Sequence, residues 1–237
     1  MIKDYTCVDI ETTGVSPEYS RIIEIGAVKI RDGQVVATFS ELIDPNTPIP
    51  YQITQLTGIT DEMVEGKDTI EQVLPRFLEF AEDDVLLGHN LRFDYSFLKQ
   101  NAMNQKLQFE KKGIDTLRIA RKKYRSLPSR KLDDLCEHFG ISDPNHHRAF
   151  NDADVTSQLY LIFCDNYVED DHICFEPQVM TYKPKKKQPI TPKQKKYLIN
   201  LISYHNLDVN YNVDQLSKSE ASRQIDLIIS SKGKILY

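Results

Sequence analysis

The segment VDIETTG, Val8–Gly14, places two carboxylates one residue apart within an apolar, β-branched run. Side chains alternate between the two faces of a β-strand, so Asp9 and Glu11 share a face, opposite Val8 and Ile10. Two half-buried like charges resist ionisation unless a cation compensates them. Mg²⁺ or Mn²⁺, which prefer oxygen ligands, would satisfy this pair. An isolated Asp-x-Glu also fits a solvated edge strand, so the pair alone does not define a site.

The patterns around this segment predict an α/β fold. Three strands are predicted by runs rich in Val, Ile and Thr: residues 4–10, 21–31 and 34–43. The turn residues Asp32-Gly33 join the last two as a hairpin. An apolar stripe predicts a helix over Ile70–Ala81, and Val85–Gly88 reads as a buried strand. Four further helices are predicted over residues 93–101, 116–124, 131–139 and 149–167. Strands followed by alternating strands and helices indicate a mixed β-sheet flanked by helices.

Charge divides the chain of 237 residues into unlike parts. From Glu176 onward there are 11 Lys and Arg against 5 Asp and Glu, a net charge of +6, whereas residues 1–175 have 19 against 30, a net charge of −11. We expect a catalytic domain over 1–175, a basic Pro- and Lys-rich linker over 176–190 and a small helical module over 191–237. The basic segment suits either contact with phosphates or a solvated linker without a binding role.

The sequence also predicts the cellular location of the protein. No apolar run approaches the roughly 18 residues that a membrane span needs, and we expect no membrane partner and a cytoplasmic location. Four cysteines lack paired spacing and are expected to be free thiols.

Two further segments carry acids at the boundaries of predicted elements. GHNLRFDYSFL, residues 88–98, places Asp94 at the start of a helix, with His89 and Asn90 at the end of the preceding strand. His89 could contact a phosphate or simply end the strand. HHRAFNDADVT, residues 146–156, places His147 five residues before Asp152. A neutral imidazole can accept a proton, which suits a general base, whereas a surface histidine near a helix start is the plainer alternative.

The segments DIETTG, HNLRFD and HRAFND, in this order, resemble the three exonuclease motifs of the DEDDh-type DnaQ-like 3′→5′ exonucleases. This family includes the proofreading epsilon subunit of bacterial DNA polymerase III. The segment ITQLTGIT, Ile53–Thr60, is similar to one that these enzymes carry between the first two motifs. The resemblance covers about residues 4–167 and implies an RNase H-like fold, in agreement with the predicted elements. His146 is the neighbouring candidate for the histidine of the third motif, but only His147 has the spacing of that motif.

The resemblance implies a two-metal site. It assigns the ligands of two divalent ions, Mg²⁺ or Mn²⁺, to four carboxylates, Asp9, Glu11, Asp94 and Asp152, and it makes His147 the general base. In the family pattern Asp9 bridges both ions, Glu11 and Asp152 complete the nucleophile side, and Asp94 serves the leaving-group side. Six residues are expected to line the pocket for the terminal nucleotide: Thr12, Thr13, Gly14, His89, Asn90 and Phe93.

The function implied by the resemblance is metal-dependent hydrolysis of single-stranded DNA from the 3′ end to 5′-mononucleotides, in proofreading or repair. The expected partners are single-stranded 3′ ends, DNA rather than RNA, and a replicative polymerase or another replication protein. Two alternatives stay open at this stage. One is an exoribonuclease that trims RNA 3′ ends with the same five residues, and the other is a non-catalytic nucleic-acid-binding polymerase subunit that retains the fold.

Overall fold

The structure is a computed structural model with two compact units, Met1–Pro184 and Lys185–Tyr237. It describes residues 2–142, 147–167, 172–183, 188–209 and 211–235. His146 and residues 184–187 of the basic segment lie outside the described residues. Across the described ranges, no helix has the length and apolar character needed to cross a membrane.

The first unit is built on a six-stranded sheet. Its strands are β1 (Tyr5–Thr12), β2 (Ile22–Arg31), β3 (Gln34–Leu42), β4 (Leu86–Gly88), β5 (Lys112–Asp115) and β6 (Gln178–Val179). The spatial order is β3-β2-β1-β4-β5-β6. β1, β2 and β3 form an antiparallel meander, β4 and β5 continue it in parallel, and β6 pairs antiparallel with β5. This mixed sheet with flanking helices confirms the predicted RNase H-like α/β fold class.

Seven helices of the first unit are described, and the predicted ones are confirmed to within a few residues at their ends. They are α1 (Tyr51–Thr57), α2 (Asp61–Val64), α3 (Ile70–Ala81), α4 (Arg92–Asn104), α5 (Thr116–Lys123), α6 (Leu132–Phe139) and α7 (Ala149–Tyr167). A 3₁₀-helix follows at His172–Phe175. The sequence did not predict α1 or α2. Two hydrophobic clusters divide the interior, and β1 contributes alternate residues to each. Val8 and Ile10 pack with α3 and α4, whereas Tyr5 and Cys7 pack with α5, α6 and α7.

Strand β6 lies within residues 176–190, which were predicted as a linker. Its residues pair with β5, and beyond it the Tyr182 hydroxyl donates to Gln100 Oε1 at 3.2 Å. This part of the segment therefore belongs to the first unit. A strand of two residues is too short to show hydrophobic periodicity in the sequence, so this segment was predicted as part of the linker.

The described residues of the second unit form two helices, α8 (Pro192–Tyr204) and α9 (Lys218–Lys232), with a 3₁₀-helix at Val213–Gln215. Each helix begins with a capping box, Thr191 with Gln194 and Ser217 with Glu220. The buried residues of its small core are Leu198, Leu201, Ala221 and Ile228. All four cysteines of the chain are free and buried in the first unit.

Candidate active site

The two acids of VDIETTG lie on the face of β1 that packs against α7. Asp9 and Glu11 follow Tyr5 and Cys7 on the odd-numbered face, and both are half-buried. Across the antiparallel ladder, Asp9 is paired with Gly26 of β2 and Glu11 with Glu24. The environment of the acids is therefore set partly by β2, a strand to which the sequence assigned no functional residue.

Gly26 allows the start of α7 to lie directly on the sheet. A Cβ atom at this position would be 2.0 Å from the backbone nitrogen of Phe150 and 2.1 Å from the carbonyl carbon of Ala149. No side chain fits in this space unless the backbone shifts. Because Gly26 is the neighbour of Asp9 in the sheet, the close approach brings the first turn of α7 beside the acids.

Glu24 anchors the entrance to α7. Its side chain is almost fully buried and accepts hydrogen bonds from Arg148 Nη2 at 2.7 Å and from Arg148 Nε at 3.2 Å. The backbone N–H of Ala149 also donates to Glu24 Oε2, at 3.0 Å. Ala149 is the first residue of α7, so the carboxylate compensates both an arginine and the positive end of the helix. His147 directly precedes this anchored pair.

Three of the predicted site residues come together here. Glu11, His147 and Asp152 each offer a ligand atom, and these atoms lie within 4.8 Å of one another. Asp152, in the first turn of α7, is buried. His147 has a left-handed backbone with φ 61°, and its side chain is 38% exposed. Its Nε2 atom lies 3.9 Å from Asp133 Oδ2 of α6.

Asp94 reaches the same region from another helix. It lies in the first turn of α4, which follows β4, and it is buried. The backbone N–H of Ile10, between the two acids of β1, donates to Asp94 Oδ1 at 3.2 Å. This bond ties the second predicted motif to the first.

The electrostatics of the acids favour a bound cation. Burial raises the pKa of Asp9 well above its usual range, with repulsion from Asp94 and Asp152 adding to the effect. Burial raises the pKa of Glu11 to about 8, and repulsion from Asp152 contributes. Burial also raises the pKa of Asp94, although backbone N–H donors oppose the shift. Oxygen ligands with this much unmet negative charge suit a divalent ion such as Mg²⁺ or Mn²⁺.

The residues after β1, predicted to line the nucleotide pocket, form a tight loop. The Thr12 hydroxyl donates to the carbonyl of Gly14 at 2.7 Å. The Thr13 hydroxyl accepts from the Arg21 backbone N–H at 2.9 Å, and both threonines are buried. Both hydroxyls are thus used within the loop, and their predicted contact with a nucleotide stays a prediction.

His89 links three segments at the end of β4. Its Nε2 atom lies 2.9 Å from the carbonyl oxygen of Arg130, and its Nδ1 atom lies 2.9 Å from the Thr116 hydroxyl. A carbonyl can only accept, so Nε2 carries the hydrogen. Burial lowers the pKa of His89, which favours this neutral form. The structure therefore gives His89 a role in holding the loop before α6.

Asn90 and Phe93 are placed differently from each other. Asn90 is exposed, has a left-handed backbone with φ 67°, and its N–H donates to Asp115 Oδ1 at 3.0 Å. Phe93 is half-buried against the core, with its ring 4.9 Å from that of Phe97. Their predicted roles in nucleotide binding are not tested by this geometry.

A cleft of about 640 Å³ opens beside the acids. Of the predicted site residues, Asp9, His89, His147 and Asp152 line it. Lining residues that the sequence did not single out are Leu56, Leu117, Arg121, Pro128, Ser129, Arg130, Lys131, Leu132 and Asp133. Leu56 comes from the ITQLTGIT segment and is 53% exposed, so it offers an apolar surface at the mouth of the cleft.

Comparisons with known proteins agree with this arrangement. The RNase_T family model, described as an exonuclease, matches residues 6–160. DNA polymerase III PolC-type of Clostridium perfringens is 47% identical over 156 residues, 66% of this chain and 11% of that protein. The PolC-type polymerase of Caldanaerobacter subterraneus subsp. tengcongensis is 39% identical over 228 residues, 91% of this chain and 16% of that protein. The chain thus spans less than a fifth of these curated relatives. The second alignment covers 91% of the chain, which is more than the first unit, Met1–Pro184, can supply. It therefore includes part of the second unit.

A solved structure of exonuclease X in complex with 5′ overhanging duplex DNA has the same fold. It matches with a TM-score of 0.53 and 27% identity, covering 69% of this chain and 92% of that chain. The family match runs from β1 into α7 and so includes all three motifs. The chain belongs to the RNase_T exonuclease family, in agreement with the exonuclease motifs that its sequence resembles.

Proposed function

We propose that this chain is a proofreading exonuclease that hydrolyses single-stranded DNA from its 3′ end and releases 5′-mononucleotides. The observation that carries the proposal is the convergence of the first and third motifs on one cleft, which Asp9, His147 and Asp152 all line. DNA is proposed as the substrate because the relatives are PolC-type DNA polymerase III proteins. We also propose a replicative polymerase as the partner and the cytoplasm as the location.

Two divalent ions, Mg²⁺ or Mn²⁺, are part of this proposal. The ligands would be Asp9, Glu11, Asp94 and Asp152. The fit is supported by the raised pKa values of three of these carboxyls, since a charged, buried acid needs a compensating cation. When bound, the ions would stabilise negative charge on the attacking and leaving oxygens of the phosphodiester.

The residues of the chain supply binding, orientation and proton transfer. In this proposal His147 accepts the proton of the attacking water, because its ring is accessible from the cleft and near Glu11 and Asp152. Exposed Leu56 would pack against the terminal base, since an apolar side chain at a cleft mouth can cover a base face.

The test uses 3′-labelled single-stranded DNA and a matched RNA, each incubated with the full chain in Mg²⁺ and then in EDTA. We expect labelled mononucleotide from the DNA in Mg²⁺ and none in EDTA. Metal-independent cleavage, or no cleavage by a folded sample, would contradict the proposal. Faster release of mononucleotide from RNA than from DNA would favour RNA trimming over DNA proofreading as the function.

A matched pair of variants on α7 sharpens the test. Asp152→Asn should abolish release, whereas Asp154→Asn should keep it. Asp154 lies two residues further along the same helix, accepts from Gln158 Nε2 at 2.9 Å and does not line the cleft. Equal activity of the two variants would remove the role proposed for Asp152.

A further inference from the structure

The lining of the cleft includes charges of both signs. Besides Asp9 and Asp152, three cationic residues line it: Arg121 in the last turn of α5, and Arg130 and Lys131 immediately before α6. We call these three residues the basic wall. Asp133, near His147, is the acid next to them in the sequence that also lines the cleft. Three cations outnumber this acid, so the segments before and within the first turn of α6, together with the end of α5, give the cleft a positively charged part.

Among the described residues, the charges of the basic wall are not paired with carboxylates of the chain. Within the described part of the chain, no ion pair joins Arg121, Arg130 or Lys131 to a carboxylate. Arg121 and Lys131 are exposed. Only the Arg130 guanidinium has a hydrogen bond, to the carbonyl oxygen of Arg125. Most other arginines and several lysines of the first unit have clear partners, such as Arg31 with Asp84 and Arg148 with Glu24.

The position of the basic wall is fixed by the site itself. The carbonyl oxygen of Arg130 accepts from His89 Nε2 at 2.9 Å, and His89 follows β4. His89 also lines the cleft, and its Nδ1 atom contacts Thr116 at the start of α5. One buried ring thus joins β4 to both segments that supply the wall. Several cations that line one cleft with the acids suit a ligand with several negative charges.

We propose that the basic wall binds the phosphates of the nucleic-acid strand on the 5′ side of the scissile phosphodiester. This inference rests on the proposed function, because it assumes that the scissile phosphate lies over the acids. A cleft of about 640 Å³ has room beyond a single phosphate group. Contacts with phosphates hold a strand in register without reading its bases. The wall would therefore set affinity and position for any sequence, as a proofreading enzyme requires.

The test measures the salt dependence of binding. Binding of a fluorescein-labelled single-stranded DNA of about 12 nucleotides is followed by anisotropy between about 50 and 200 mM NaCl. The full chain carries Asp152→Asn in all samples, to prevent cleavage in Mg²⁺. The tested variant adds Arg121→Gln and Lys131→Gln, while Arg130 is kept because its carbonyl and guanidinium hold the loop.

Each phosphate contact on a single strand contributes about 0.7 to the magnitude of the slope of log affinity against log salt. The slope measured for the double variant should therefore be shallower by about 1.4. Over this salt range the two contacts account for about a sevenfold change in affinity. Lys106→Gln with Lys122→Gln is the charge-matched control, since neither lysine lines the cleft. An unchanged slope in the wall variant, or an equal change in the control, would overturn the proposal.

A kinetic comparison separates this inference from the proposed function. The wall substitutions, in the chain with Asp152 intact, should raise KM for the oligonucleotide far more than for the p-nitrophenyl ester of thymidine 5′-monophosphate. That ester has one phosphodiester and no upstream phosphate. An equal loss on both substrates would show that the substitutions disturb the acids, and the inference would be wrong. A wild-type chain that binds with the expected salt slope but hydrolyses neither substrate would contradict only the proposed function.

Discussion

Glu11 and Glu24 are partners in the register of β1 and β2, yet the protein treats their charges in opposite ways. Glu24 is buried and accepts from the Arg148 guanidinium and from the N-terminal N–H of α7. Glu11 is half-buried, and burial together with Asp152 and Glu24 raises its pKa to about 8. The compensated glutamate holds the scaffold together. Among the described residues, Glu11 has no such compensation and needs an external cation when it is charged. The difference between the two glutamates therefore indicates where the metal site lies.

Removing the side-chain charge of Glu11 should have the largest effect of the changes that test this contrast. Glu11→Gln should lower kcat on 3′-labelled single-stranded DNA by about 1000-fold, equivalent to about 4 kcal/mol of barrier, because a ligand of the proposed ions is lost. Its metal-free thermal stability should be unchanged or higher, since a raised pKa marks a charge that opposes folding. A variant with normal kcat would end the distinction between the two glutamates.

The same distinction predicts how stability depends on pH. The folded chain holds a proton on Glu11 between pH 4.5 and about 8, whereas the unfolded chain has lost it. Without metal, the free energy of unfolding should therefore fall as pH rises through this window and level off above it, by on the order of 5 kcal/mol. The raised pKa values of Asp9 and Asp94 act in the same direction.

Thermal unfolding from about pH 5 to about pH 8.5, in EDTA and in saturating Mg²⁺, measures this effect. Mg²⁺ should remove most of the fall, because it binds the charged carboxylates. In Glu11→Gln the fall should be smaller. An EDTA curve that rises with pH would contradict the assignment of these acids as uncompensated.

Much of the fold could be predicted because its elements carry local signals. The hairpin turn at Asp32-Gly33 has the expected left-handed backbone, with φ 51° and 77°, and α7 has the predicted bounds, 149–167. Helix α1 was not predicted because three prolines, Pro45, Pro48 and Pro50, precede it and obscure its start. Pro50 in fact precedes its first residue, a position where proline is tolerated. Strand β5 was missed because four residues are too few to show a period.

The site was predictable where a charge interrupts an apolar strand, as at Asp9 and Glu11. Glu24 carries the same signal within β2, but its partner Arg148 is 124 residues away, and only the fold shows that its charge is compensated. The basic wall has no sequence signal, since exposed arginines and lysines are common. The roles assigned to Asp9, Glu11, Asp94, His147 and Asp152 stay predictions until variants are measured.

Substitution of Gly26 tests whether the packing of α7 on the sheet beside Asp9 determines the geometry of the acids. Gly26→Ala should destabilise the chain by about 3 kcal/mol, because the added Cβ would meet the backbone of α7 and overpack a rigid contact. Since α7 carries Asp152, its displacement should also weaken Mg²⁺ activation. Urea unfolding and a Mg²⁺ titration of activity measure the two effects. Gly33→Ala is the control, since its Cβ would meet nothing within 4 Å, although the left-handed backbone there adds a small cost. Equal destabilisation by both changes would contradict the packing argument.

Glu24→Gln should have the smallest effect, about 2 kcal/mol of stability. Glutamine keeps an acceptor for the Ala149 N–H, and the Arg148 side chain is 37% exposed, so solvent partly replaces the lost ion pair. The released guanidinium, already near enough to lower the pKa of Glu11, should then pair with it and raise the Mg²⁺ concentration needed for activity. The double variant Glu24→Gln, Arg148→Met removes both charges and should recover stability and Mg²⁺ response together. If the double variant keeps the higher Mg²⁺ requirement, Arg148 is not the competitor, and the contrast between the glutamates comes from the helix terminus alone.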